Sequence, residues 1–253
     1  MSVTISHGIA HVVVSNPNRG HSLDIDGLDA AAETLKHDTS IRAIVLTGAQ
    51  EGSFCNGGDV KAFAASSDPG QYLRSIALPF HRFISTLLDA DVPTIAAVRG
   101  WAAGGGMSLA CATDLAIGGP GTQLLPAYPT IGYSTDGGLS WTLPRIVGRR
   151  AAASIILTNA PLDAPAAHRL GILSEVVDDD EAVVQRAFEL AEQFARGPRG
   201  AYAEIKQLLR TSGSLSATEQ LQLEVDAIAR TAGSDDGREG VAALLDRRAP
   251  RFQ

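Results

Sequence analysis

Residues 94–114 read TIAAVRGWAAGGGMSLACATD. Thr94 to Val98 is a short apolar run, and Val92-Pro93 before it ends any preceding helix. Gly100 to Gly106 forms a glycine-rich turn, Met107 to Ala112 has helical spacing, and Leu115 to Ile117 reads as a short strand again. A strand, a turn, a helix and a strand within so few residues imply crossover connections and a mostly parallel sheet. The fold class expected from this stretch is therefore α/β.

The same alternation extends outward. Upstream, Ile9 to Val14 reads as a strand, Asp24 to His37 as a helix capped by Asp24, and Ala43 to Thr47 as a buried strand ending at Gly48. Helical spacing then runs from about Gln71 to Leu88. Downstream of Gly148 the β signal nearly vanishes, apart from Ser174 to Val177, and helical stretches follow at 180–196, 199–210, 215–232 and 236–247. Gly197-Pro198 separates a body, residues 1–196, from a helical tail, residues 197–253. The tail's leucine stripe, with Leu208, Leu209, Leu221, Leu244 and Leu245, needs cover from the body or from a neighbouring subunit.

With 253 residues, 45% hydrophobic and 19% charged, the chain is long enough for one large core. A net charge of -7 without a basic run argues against a nucleic-acid surface. Every long apolar stretch is broken by a charge such as Arg99 or Asp114, so no membrane segment is expected and the reading is a soluble, cytoplasmic protein. Two cysteines and six scattered histidines make neither a disulfide framework nor a metal motif.

Two glycine-rich turns, FCNGGDVKAF at 54–63 and the one at 100–106, each follow a strand. Glycine permits positive φ and close approach of main chain, so both turns can aim free N–H groups at a ligand. Two such donors make an oxyanion hole in kind, and losing one in comparable sites costs roughly 3–4 kcal/mol. Tight strand-to-helix packing is the plainer reading of either turn alone. Neither turn matches a phosphate-loop or dinucleotide pattern. A lone acid, Asp136, stands in GYSTDGGLSW at 132–141, where it is either a helix N-cap or a reactive carboxylate.

Four ordered motifs, FCNGGDVKAF, PTIAAVRGWAAGGGMSLACATDLAI, TDGGLSWTLPRIVG and RLGILSEVV, together resemble the enoyl-CoA hydratase/isomerase (crotonase) superfamily over nearly the whole chain. The resemblance implies a spiral of ββα turns and a C-terminal helical region that builds trimers, often paired into hexamers. It also implies an acyl-CoA thioester as substrate, with coenzyme A entering only as part of that substrate and no permanently bound cofactor or metal. By the family pattern the two oxyanion amides fall at Gly58 and Gly105. Asp136 matches the aspartate that moves a proton between carbons in isomerase members. The two glutamates of hydratases fall at Ser108 and Tyr128, neither of which is a comparable base. The acid at Asp136 and the histidine at His81 also resemble the attacking aspartate and the water-activating histidine of 4-chlorobenzoyl-CoA dehalogenases, although the tryptophan used there falls at Tyr128. The first coenzyme A loop corresponds to Arg19-Gly20-His21-Ser22-Leu23, and Asp59, Val60 and Lys61 follow the first oxyanion glycine. Arg19 and Lys61 suit phosphate, and Lys206 is expected to reach a neighbouring subunit's coenzyme A. The expected activity is double-bond isomerisation. Hydration with atypical residues, dehalogenase-like hydrolysis and an inactive coenzyme A-binding scaffold are the alternatives.

Overall fold

The computed structural model describes residues 1–49 and 52–253. β1 (Ser2–Ser6) and β2 (Ile9–Val13) form an antiparallel hairpin whose turn uses positive φ at both His7 and Gly8. A two-stranded ribbon, β3 (Ser15–Asn16) and β4 (Ser22–Leu23), leads into α1 (Leu28–His37). β5 (Ala43–Thr47) returns beside β2, and α2 (Val60–Ala65) and the long α3 (Pro69–Asp89) connect it to β6 (Thr94–Val98). Next come β7 (Trp101–Ala103), α4 (Gly105–Cys111), β8 (Leu115–Gly118) and β9 (Gln123–Leu125). α5 (Leu139–Val147), α6 (Arg149–Thr158), β10 (Leu162–Asp163), α7 (Ala164–Arg169) and β11 (Glu175–Val176) complete the body. α8 (Ala182–Ala195), α9 (Arg199–Thr211), α10 (Ala217–Ala232) and α11 (Asp235–Leu245) end the chain.

The main sheet has the order β1-β2-β5-β6-β8-β11, parallel from β2 onward. A smaller sheet, β10-β9-β7, runs alongside. β6 and β7 are followed by α4, and β8 and β9 by α5, so the chain advances in ββα turns. The central strands are buried on both faces, as their unbroken apolar runs predict. Alternate residues divide the core: Ile44, Leu46, Ala96 and Val98 join α1, α3, α4 and α5 on one side. Ala43, Val45, Ile95, Ala97 and Ile117 meet Val183, Ala187 and Ala191 of α8 on the other.

The α/β expectation and the four late helices stand, and two local readings are corrected. Asp24 does not cap α1, which starts at Leu28 behind Gly27; its carboxylate pairs with the N-terminal amine instead. The turn at 100–106 contains a strand, β7, because Ala102 packs inward and pairs with neighbouring main chain. On the tail, Leu209, Leu221, Leu244 and Leu245 are exposed in the single chain, with Ile228 and Val241 beside them. Arg42 joins tail to body through the carbonyl oxygens of Ala195, Gly197 and Gln253. Among the described residues, no helix is long and apolar enough to cross a membrane.

Candidate active site

The two glycine turns are stitched together by main chain. Cys55 pairs in parallel with Ala102: its N–H donates to Trp101 O at 3.0 Å, and its carbonyl accepts from Ala103 N at 2.8 Å. Gly58 and Gly105 each lie three residues beyond that paired position, so the register sets them side by side. Both line one cavity of about 700 Å³. Gly105 opens α4, where first-turn amides have no partner within the helix. Among the described residues, neither the Gly58 nor the Gly105 amide donates to protein main chain outside regular helix and strand pairing. The close approach is possible only without side chains, since a Cβ at Gly57 would sit 2.9 Å from Ala103 O.

Asp136 and Tyr128 line the same cavity. Asp136 is the one carboxylate among the described lining residues, and its side chain is 39% exposed. It is not a helix cap: Gly138 holds that position before α5, without a side-chain bond. Gly137, at φ +58, has no room for a side chain, because a Cβ would lie 2.5 Å from Phe80 Cε1 and 2.8 Å from Ser108 Cβ. The Gly-Gly pair therefore turns the chain sharply enough to leave the acid in the cavity.

The Tyr128 hydroxyl donates to Asp136 Oδ1 at 2.8 Å, and Ser108 Oγ lies 3.0 Å from that hydroxyl. Burial first, and then the Asp136 charge, push the Tyr128 phenol far above its ordinary range, so it remains a donor. Ser108 Oγ also donates to Asp136 O at 3.0 Å, so it holds the main chain of the acid while Tyr128 holds its carboxylate. The short turn that presents Tyr128 starts at Ala127 in a left-handed conformation, held by Asn159, whose Oδ1 accepts from Ala127 N at 2.8 Å. His81, at the middle of α3, accepts from Gly137 N at 3.1 Å through Nε2, which lies 3.9 Å from Asp136 Oδ2.

Of the residues expected from sequence, Gly58, Val60, Gly105, Tyr128 and Asp136 meet in this cavity. Ser108 is fully buried behind Tyr128, so it supports the wall and does not line it. Arg19, His21 and Ser22 lie on a loop tied to the first glycine turn: Asn56 N donates to His21 O at 2.8 Å and Leu23 N to Gly57 O. Arg19 stands 3.5 Å from Asp26, while His21 Nδ1 and Ser22 Oγ are buried without a partner among the described residues. Asp59 caps α2, accepting from Lys61 N at 3.0 Å and Ala62 N at 3.3 Å, and Lys61 is exposed. Lys206 corrects the sequence reading. It is buried at the far end of β6 from the glycine turn, with Nζ 2.8 Å from Val92 O and 2.5 Å from Asp114 Oδ2. Its ammonium is thus committed to the fold, and desolvation lowers its pKa despite Asp114. Cys55 is inert, because burial pushes its thiol up to about 12.

The sequence does not single out the α3 wall of the cavity. Leu73, Arg74, Ile76, Ala77 and Phe80 form one face of α3, and Phe63 and Tyr133 close the space beside them. The helical spacing of those α3 residues was visible, but it reads equally as core. Two glycine amides and one carboxylate lining one mostly apolar cavity can stabilise an oxygen that gains charge while a neighbouring carbon loses a proton.

A family model described as enoyl-CoA hydratase/isomerase matches residues 4–253. A relative from Escherichia coli named 1,2-epoxyphenylacetyl-CoA isomerase is 33% identical, covering 100% of this chain and 98% of its own. A 4-chlorobenzoyl coenzyme A dehalogenase from an Arthrobacter species is 31% identical, covering 96% of this chain and 89% of its own. A crystal structure of a putative enoyl-CoA hydratase/isomerase from Mycobacterium abscessus superposes with a TM-score of 0.94 at 29% identity, covering 100% and 98% of the two chains. With its ββα spiral and this full-length match, the chain belongs to the enoyl-CoA hydratase/isomerase family, the crotonase superfamily.

Proposed function

We propose that this protein is an acyl-CoA isomerase that moves a carbon–carbon double bond by proton transfer through Asp136. The observation that carries the reading is that Asp136 is the single carboxylate among the described residues of the cavity that Gly58 and Gly105 line. In this mechanism the thioester oxygen of a 3-enoyl-CoA accepts hydrogen bonds from both amides, which acidifies C2. The Asp136 carboxylate takes the C2 proton, the electrons delocalise as a dienolate, and the resulting acid returns the proton to C4. The product is the 2-enoyl thioester, and Asp136 ends as it began. One carboxylate suffices for this shuttle, whereas adding water would call for a second group to activate it. Ser108 and Tyr128, at the hydratase glutamate positions, instead hold Asp136.

Arg19, His21, Ser22 and Lys61 belong to the coenzyme A side of this reading, and the exposed apolar face of α9 to α11 supports assembly into a trimer or hexamer. The test is an assay of 3-enoyl-, 2-enoyl- and dienoyl-CoA thioesters with the native protein and Asp136→Asn. Isomerisation is expected to fall by about 10³-fold or more in the variant. Isomerisation that survives the substitution, or hydration at ordinary rates, overturns the reading.

The closeness of His81 to Asp136 favours a second reading, in which Asp136 attacks an aromatic acyl ring and His81 activates water. Halide release from a 4-chlorobenzoyl thioester would establish it. Binding of coenzyme A thioesters without turnover of any would leave a scaffold.

A further inference from the structure

We infer that His81 is a proton relay that connects Asp136 to the water of a second cavity, so that the proton Asp136 carries exchanges with solvent. This rests on the shuttle proposed above. The second cavity, about 690 Å³, lies between α1 and α3, and its lining includes Asp29, Glu33, Lys36, Arg82 and His81. It has no lining residue in common with the cavity that holds Asp136. The buried Phe80 ring lines the first cavity and its neighbour His81 the second, so α3 is the partition between them. The Asp136–His81 pair spans that partition, with 3.9 Å between Oδ2 and Nε2.

The hydrogen bonds set the protonation pattern. Gly137 N–H donates to Nε2, so the lone pair of that nitrogen is held by the main chain and the imidazole proton sits on Nδ1. Tyr128 occupies Oδ1 of Asp136, which leaves Oδ2 as the oxygen nearer His81. When Asp136 is protonated, the imidazole turns from Gly137 N–H toward Oδ2: the hydrogen bond from Gly137 is given up, the Oδ2–H bond breaks and an Nε2–H bond forms in its place. The Nδ1–H bond then breaks and its proton passes to water of the second cavity. No electrons change hands, water is the only co-reactant, and the reverse sequence reprotonates Asp136 with a solvent proton. An acyl chain in the first cavity covers the carboxylate on that side, whereas the His81 side chain stays 48% exposed.

The experiment runs the isomerisation of a 3-enoyl-CoA in D₂O and measures deuterium at C4 per product formed, at early conversion, by mass spectrometry. The native protein is expected to introduce deuterium at C4. In His81→Gln the amide oxygen can still accept from Gly137 N–H but has no titratable nitrogen, so deuterium per product is expected to drop by about fivefold or more. The ratio reports how the proton partitions between exchange and return to C4, and a slower return by itself would raise it, not lower it. His81→Asn carries the same test should the glutamine variant not fold. Unchanged deuterium per product in the folded variant, or none in the native protein, overturns the relay. Asp136→Asn assayed in parallel separates the two ideas: if it still isomerises, the shuttle is wrong, and if it is inactive while His81→Gln keeps its deuterium, only the relay is wrong.

Discussion

Replacing Tyr128 by phenylalanine removes one hydroxyl from the Ser108–Tyr128–Asp136 chain and keeps the ring that lines the cavity. The hydroxyl supplies a 2.8 Å bond to Asp136 Oδ1. Ser108 loses little, because its Oγ also lies 3.0 Å from Asp136 O and 3.3 Å from Gly104 O. The loss therefore falls on the carboxylate. A hydrogen bond to a charged group contributes about 1.5–3 kcal/mol. Since 39% of the Asp136 side chain is exposed, water recovers part of this, and about 1–2 kcal/mol remains. If that bond orients the carboxylate for both proton transfers, kcat falls by about 5–30-fold. KM stays within about twofold, because the thioester contacts come from Gly58 and Gly105. Steady-state isomerase kinetics, with urea denaturation to follow a stability loss of about 1 kcal/mol, make the measurement. An unchanged kcat would refute the idea that this chain orients the base. A raised KM with kcat intact would make Tyr128 a substrate contact instead.

Two further outcomes test the fold around the site. In Gly106→Ala the new methyl would sit 2.9 Å from the Cys55 carbonyl carbon and closer still to its oxygen, so main chain must shift. Destabilisation of about 2 kcal/mol or more and a loss of turnover of about 10²-fold are expected, read from the urea midpoint and kcat. A stable variant with normal turnover would show that the seam between the turns does not set the amide spacing. The buried thiols give a pH signature, since burial pushes both Cys55 and Cys111 from an ordinary 9.0 up to about 12. A folded-state pKa above the unfolded one means that the stabilisation is complete below pH 9 and is lost as pH rises toward 12. Each thiol adds a slope of up to about 1.4 kcal/mol per pH unit in that window. Urea titrations at pH 8 and 10.5 should show a smaller loss in the Cys55→Ala, Cys111→Ala double variant than in the native protein, and equal losses would contradict the account.

The central strands were legible because burial on both faces leaves no alternative to unbroken apolar runs such as Ala43–Thr47. The late helices were legible for the opposite reason, a polar face at helical period, reinforced by the Gly197-Pro198 stop. β7 hid inside a glycine-rich stretch because its pairing partners, Cys55 and the strand β9, are remote in sequence. At the site, the Gly-Gly pair after Asp136 marked the acid, but the chain joining it to Tyr128 and Ser108 depends on tertiary contact. By position alone those two residues read as vacant glutamate sites. Lys206 is similar: a lysine on an amphipathic tail helix reads as free to reach a neighbouring subunit's coenzyme A until Asp114, 92 residues earlier, is seen to receive it.

The seam between the glycine turns has an evolutionary corollary. One end of the cavity is fixed by hydrogen bonds among backbone atoms, which a substitution elsewhere does not alter, whereas the other end is a row of replaceable side chains on a single helix. Redrawing Leu73, Ile76 or Ala77 reshapes the space for the variable part of a ligand and leaves the spacing of the two amides alone. Such a molecule can change its diet while its jaw stays the same, which makes that helix face the place to begin re-engineering selectivity.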